Sequence, residues 1–220
     1  MRGYLVMPAK AADKSAAVKL PGVLVIHENR GLNPHIEDVA RRFALENFIA
    51  FAPDALTPLG GYPGDEDKAR TLFSKLEQPK STNDFIAAAG FLKAHAQCSG
   101  RIGAVGFCYG GSIANMLATR LPDLGASVPF YGGQPAAADA AKVKAPLMLH
   151  HAETDDWVNG GWPAYEAALK AASVKYEIHT YPGTLHGFHN DTTPRYAEAA
   201  AKLAWSRTLA FFNRHLRAPG

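Results

Sequence analysis

The apolar positions of this chain fall into short blocks separated by longer amphipathic stretches. Gly22-Val-Leu-Val-Ile26 is an unbroken apolar run, the pattern of a strand buried on both faces. Residues 3–7, 48–52, 126–130, 146–150 and 176–181 read as further strands. Between them, residues 34–47, 65–76, 82–96, 163–172 and 194–216 carry apolar side chains at helical spacing. Asn33 before Pro34 marks a helix start, because Asn caps free N–H groups and proline fits the first helical position. Residues 10–19 read as a polar, alanine-rich connection, and residues 53–64, rich in Pro and Gly, as a loop. Successive strand–helix pairs imply an α/β fold: a mostly parallel central sheet with helices on both faces. No repeat or low-complexity linker interrupts the pattern, so residues 1–220 are expected to form a single domain.

The pattern is most informative at Arg101-Ile-Gly-Ala-Val-Gly-Phe-Cys-Tyr-Gly-Gly-Ser112. A strand runs into Gly106-x-Cys108-x-Gly110-Gly111, and a helical pattern follows through Ile113, Met116 and Leu117. This is the nucleophile-elbow arrangement with cysteine as the central residue. The turn must be sharp, and glycines on both sides leave room for it. The new helix aims its first N–H groups at Cys108, which favours thiolate and any developing oxyanion. A cysteine between glycines also fits a small buried core residue, so the rest of the sheet edge has to decide.

In such sheets the ligand site lies beyond the carboxyl ends of the strands. The residues there are His27-Glu28-Asn29-Arg30, Pro53-Asp54, Cys108, Tyr131-Gly-Gly-Gln134, the segment from His151 to Val158, and Gly183-Thr-Leu-His186-Gly-Phe-His189. Cys108, Asp155 and His186 then occur in the chain order nucleophile, acid, histidine. The chemistry uses each in a distinct way. Cys108 attacks an acyl carbon, His186 takes the thiol proton and later gives it to the leaving group, and Asp155 orients the imidazole. The acid follows its strand directly and Val158 opens the next packed segment. Two other classes compete. His27, His150, His151, His186 and His189 could hold a metal, although His186-x-x-His189 lies in a loop without the glutamate of a metalloprotease helix. His150 and His151 are expected to point to opposite faces of their strand. A non-catalytic binding module on a hydrolase scaffold is the other alternative.

Composition narrows the classes further. A chain of 220 residues with 47% hydrophobic and 20% charged residues can bury a full α/β core. A net charge of +3, without a basic run interleaved with aromatics, argues against nucleic acid as a partner. No apolar run is long enough to span a membrane, and the N-terminus lacks the layout of a secretory signal. Cys98 and Cys108 are too few for a disulfide framework, so a reducing, cytoplasmic setting is expected, with a leader outside this sequence left open. Cys98 is expected in the loop before its strand. The expected partner is a small molecule with an acyl carbon open to attack, with no cofactor and no metal, and the protein is expected to be a monomer or homodimer.

Taken together, Gly-Phe-Cys-Tyr-Gly-Gly, His-Glu-Asn-x-Gly-Leu-Asn, the Asp155-Asp156-Trp-Val turn and Tyr-Pro-Gly-x-x-His-Gly-Phe resemble the dienelactone hydrolase family, from Tyr4 to Leu216. The resemblance implies an α/β-hydrolase fold and hydrolysis of cyclic enol-lactones and related esters by Cys108, His186 and Asp155. It implies an oxyanion hole from the N–H groups of Tyr109 and Asn29, the first of which also follows from the elbow geometry. It implies further that Glu28 keeps the resting cysteine protonated. The family's acid stands three residues before the valine, which selects Asp155 over Asp156. This chain departs from the family at the arginines expected to grip a substrate carboxylate. His189-Asn190 stands at one place, and the loop at residues 56–64 has no Arg or Lys. Arg30 is the nearest substitute. Neutral esters or lactones are therefore expected to be preferred over dienelactone itself. Tyr62, Trp157 and Phe188, together with Arg30, are the candidate substrate-binding residues, and Phe107 and Tyr109 are further aromatics that could line the pocket.

Overall fold

A computed structural model describes residues 1–9 and 19–217. Nearly all of the expected connection at residues 10–19 lies outside the described residues. The strands are β1 (Arg2–Val6), β2 (Leu20–Ile26), β3 (Ile49–Asp54), β4 (Cys98–Phe107), β5 (Ala126–Phe130), β6 (Leu147–Thr154) and β7 (Tyr176–Leu185). The α-helices are α1 (Pro34–Leu45), α2 (Glu66–Phe73), α3 (Gln78–Ala94), α4 (Tyr109–Arg120), α5 (Asp156–Asn159), α6 (Trp162–Ala171) and α7 (Glu198–Leu216). One seven-stranded sheet has the order β1-β3-β2-β4-β5-β6-β7. Only β1 runs antiparallel, against β3, and it forms one edge of the sheet.

The alternation within the apolar runs explains why the sheet is covered on both faces. Leu24 and Ile26 point into one cluster with Phe85 and Leu92 of α3 and Ile113 and Leu117 of α4. Val23 and Val25 point into the other, with Val39 and Phe43 of α1 and Phe211 and Phe212 of α7. All seven residues of β2 are buried, which is why that run carries no polar alternation. Asn33 caps α1 as expected, accepting from the Ile36 N–H at 3.1 Å, and Pro34 takes the first helical position.

Several boundaries differ from the sequence reading. The parallel pairing of β6 with β7 continues past a bulge between Ala152 and Thr154, so both strands run longer than their apolar cores. That extension carries the chain directly to Asp155 and His186. Helix α3 starts at Gln78, before the expected 82, with Pro79 in its first turn. Helix α7 starts at Glu198 and not at 194. Turns closed by Tyr196 N–H to Thr193 C=O (3.1 Å) and Ala197 N–H to Phe188 C=O (3.0 Å) occupy the intervening residues. Cys98 is also not in a loop: it opens β4 and is buried. Among the described residues no helix is long and apolar enough to cross a membrane.

Candidate active site

The elbow is built from backbone that only glycine permits. A Cβ at Gly106 would lie 1.9 Å from the Gly110 carbonyl oxygen, and one at Gly110 would lie 2.2 Å from that of Ile26. Strand β4 and helix α4 therefore meet without an intervening side chain. Cys108 between them takes φ 56° and ψ −113°, a conformation that costs a non-glycine residue on the order of 1–3 kcal/mol. Its N–H donates to the Phe130 carbonyl at 3.0 Å, which fixes the turn to the end of β5.

His186 and Asp155 follow the ends of β7 and β6. His186 Nδ1 is 2.6 Å from Asp155 Oδ2. This pair occupies Nδ1 and leaves Nε2 as the ring nitrogen not engaged by the carboxylate. Asp155 is 7% exposed and its Oδ1 accepts from the Val158 N–H at 3.5 Å, so the carboxylate also caps α5. Asp156, the first residue of α5, is exposed. The other histidines are dispersed. His150 Nε2 reaches Thr208 of α7 at 3.1 Å, whereas the His151 ring packs against Trp162 of α6. The two point to opposite faces, and the His189 ring lies between Phe107 and Phe130.

Burial pushes the Cys108 thiol up to about 11, with the Glu28 carboxylate as the next cause. The N–H of Tyr109 acts the other way but is the smaller effect. The helix N-terminus, expected to favour thiolate, is thus outweighed by desolvation and a neighbouring negative charge. Glu28 is held in place by Asn190, whose Nδ2 donates to Oε2 at 2.7 Å. Asn190 is itself oriented, because its Oδ1 accepts from the Thr192 N–H at 3.0 Å and hydroxyl at 2.6 Å. Glu28→Gln keeps an acceptor for Asn190 and removes the charge. Its expected effect is a downward move of the pH inflection for iodoacetamide alkylation of Cys108. An inflection lower by about one pH unit raises the thiolate fraction at pH 8 about tenfold and lowers the nucleophilicity of each thiolate roughly threefold, for a net gain of about threefold. An unmoved inflection would show that Glu28 does not act on the thiol.

Beside this group lies a cavity of about 450 Å³ lined by Glu28, Arg30, Tyr62, Glu66, Asn190 and Arg195, among others. Arg30 pairs with Glu66 at 3.4 Å and donates to the Asn29 side chain at 2.5 Å. Tyr62 donates its hydroxyl to Glu66 at 3.0 Å, and its N–H to Asp54 at 3.0 Å. Asp54 also accepts from the N–H groups of Leu32 and Leu56, so this post-strand carboxylate braces loops. Trp157 is 68% exposed on α5 and packs over Gly133. Phe188 is a correction to the sequence reading: it is 0% exposed and packs against Tyr131 and Tyr181, so it belongs to the core. Phe107 is equally interior.

Three residues around this group are given no role by the sequence reading. Arg195 lies across Gly187, where an added Cβ would be 3.2 Å from its Nη2, and its charge reaches Cys108. No spacing rule ties it to His186. Asn190 reads in sequence only as a missing arginine. Tyr131 has φ 35°, sets its ring 5.0 Å from that of His186, and buries a hydroxyl without a partner among the described residues. Its place after β5 is the available signal.

The model of the dienelactone hydrolase family matches residues 1–216. The chain belongs to that family. Protein usf of Aquifex pyrophilus is 35% identical, over 98% of this chain and 94% of its own length. A Salmonella typhi protein provisionally named carboxymethylenebutenolidase is 33% identical, over 95% of this chain and 83% of its own. A Klebsiella pneumoniae crystal structure, provisionally named a dienelactone hydrolase, superposes with a TM-score of 0.84 at 29% identity and covers 96% of this chain and 92% of its own. As a member of the dienelactone hydrolase family the protein is a hydrolase of esters or lactones, with the α/β-hydrolase fold of its relatives.

Proposed function

We propose that the protein hydrolyses small esters or lactones through a thioacyl intermediate on Cys108. The observation that carries this reading is the 2.6 Å contact of His186 Nδ1 with a buried Asp155, after β7 and β6 of the same sheet whose β4 ends in a cysteine elbow. Sγ attacks the acyl carbon while its proton passes to His186 Nε2. The oxyanion is met by the N–H groups of Tyr109 and Asn29. The C–O bond of the ester breaks, and the leaving oxygen takes the proton from His186. In a lactone that oxygen stays tethered to the acyl group. Water then gives its proton to His186, attacks the thioester and releases the acid and the thiol. Glu28 keeps the resting sulfur protonated between turnovers.

Substrate charge follows from the cavity. Glu28 and Glu66 balance Arg30 and Arg195, so the walls offer no net cation. This supports the preference for neutral substrates, with Arg195 as a counterweight that narrows it. The test uses a lactone acid and its methyl amide at neutral pH. Both should be turned over, the amide about tenfold better, equivalent to roughly 1.4 kcal/mol of transition-state binding. Arg195→Gln should lower kcat/KM for the acid by about a further tenfold relative to the amide, with any loss common to both reporting the effect of its charge on the Cys108 thiol. Alkylation of Cys108 with iodoacetamide should stop both reactions. Turnover that survives complete alkylation, or that a chelator stops, overturns the cysteine mechanism. A tenfold advantage for the acid overturns the charge preference alone.

A further inference from the structure

His27 stands between the end of β2 and Glu28 and is 0% exposed. Its Nε2 lies 3.1 Å from the Ala55 N, and its Nδ1 lies 2.5 Å from the Glu28 carbonyl oxygen. A backbone N–H can only donate and a carbonyl can only accept. Nε2 is therefore the acceptor, Nδ1 carries the proton, and the ring is neutral. Burial favours the same uncharged form.

The Glu28 carbonyl and the Asn29 N–H belong to one peptide group, and the described residues contain no cis peptide bond. In a trans peptide the two point in opposite directions within one plane. Holding the carbonyl against the imidazole thus fixes where the Asn29 N–H is aimed. A hydrogen bond accepted at the carbonyl also polarises the peptide and makes its N–H a better donor. The same ring stacks on Tyr109, with centroids 6.0 Å apart and planes 23° from parallel. The Tyr109 ring is tied at its far end, where the hydroxyl lies 2.7 Å from Ser81 Oγ.

We propose that His27 is a positioning residue for the oxyanion hole, orienting and polarising the Glu28–Asn29 peptide through its Nδ1–H while bracing Tyr109. The inference rests on the reading that the Asn29 N–H meets the oxyanion.

Two substitutions separate this role from simple packing. The amide of Asn can stand where Nδ1 stands and donate to the Glu28 carbonyl. That of Gln reaches the Nε2 position, serves Ala55 and leaves the carbonyl without a donor. His27→Gln should lower kcat by about thirtyfold with little change in KM, a little less than the loss of a whole donor. His27→Asn should stay within about threefold of wild type on the same scale. The direct readout is the carbonyl stretch of a furylacryloyl thioester trapped on Cys108. It should move to higher frequency in His27→Gln and return to the wild-type value in His27→Asn.

Equal losses in the two variants with an unmoved stretch would mean that His27 only fills space, and overturn the proposal. Wild-type kcat in His27→Gln would overturn it as well. If that variant does not fold, His27→Asn decides alone, and a stretch shifted upward there is the overturning result. Failure of the wild-type enzyme to form any thioester on Cys108 would instead defeat the nucleophile reading. A wild-type thioester with the stretch of one free in water would defeat the oxyanion hole.

Discussion

Cys108→Ala should abolish ester hydrolysis, with a loss in kcat on the order of 10⁶-fold, and leave the protein folded. The loss is large because no neighbouring group can replace the sulfur. Glu28 is held by Asn190 and Asp155 by His186. The fold should survive because alanine at φ 56° is no more strained than cysteine and is smaller. Cys98→Ala is the control. Cys98 opens β4 in the core, so its truncation should cost about 1 kcal/mol of stability without slowing turnover. Steady-state kinetics with a neutral ester and thermal unfolding of both variants are the measurements. Near wild-type turnover in purified Cys108→Ala would end the cysteine mechanism.

Asp155→Asn should lower kcat by up to about 10⁴-fold, whereas Asp156→Asn should be mild. The hydrogen bonds of Asp155 explain the size of the effect. One oxygen faces the Val158 N–H at 3.5 Å and the other faces His186 Nδ1 at 2.6 Å. An asparagine in this place satisfies Val158 with its oxygen and turns its NH₂ to Nδ1. The imidazole must then carry its proton on Nε2, the nitrogen that should receive the thiol proton. The histidine is held in the wrong tautomer without any change in position. Asp156 is exposed and faces no such partner. A crippled Asp156→Asn beside an active Asp155→Asn would refute the assignment.

The residues that could be read from sequence are those whose place is fixed by local rules. The all-apolar run of β2 announces a strand buried on both faces, and the glycines around Cys108 announce a turn that side chains would obstruct. Asp155 and His186 follow because chain order and strand ends locate them. The residues that could not be read depend on approach in space. Arg195 reaches the site by folding over Gly187, and nothing in the turn before α7 signals that path. Asn190 looks like a lost cation until its amide is found on Glu28. His27 looks like any post-strand histidine until its two ring nitrogens are matched with partners. Phe188 shows the converse: a loop aromatic beside the histidine reads as a pocket wall, yet its ring turns back into the core. Sequence misplaces Cys98 and the start of α7 because hydrogen-bonded turns and strand ends share the same polar and small residues.

The protonated state of Cys108 also bears on chemical damage. Peroxides attack thiolates, and the first product, a sulfenic acid, can be driven on to forms that do not revert. A cysteine nucleophile exposed as a thiolate would be consumed by oxidants during every interval without substrate. Here burial and the Glu28 charge hold the sulfur in its unreactive form. If Cys108 is the nucleophile, as proposed, the groups that make it weak at rest should also slow its loss to oxidants, which a slower inactivation by peroxide in wild type than in Glu28→Gln would show.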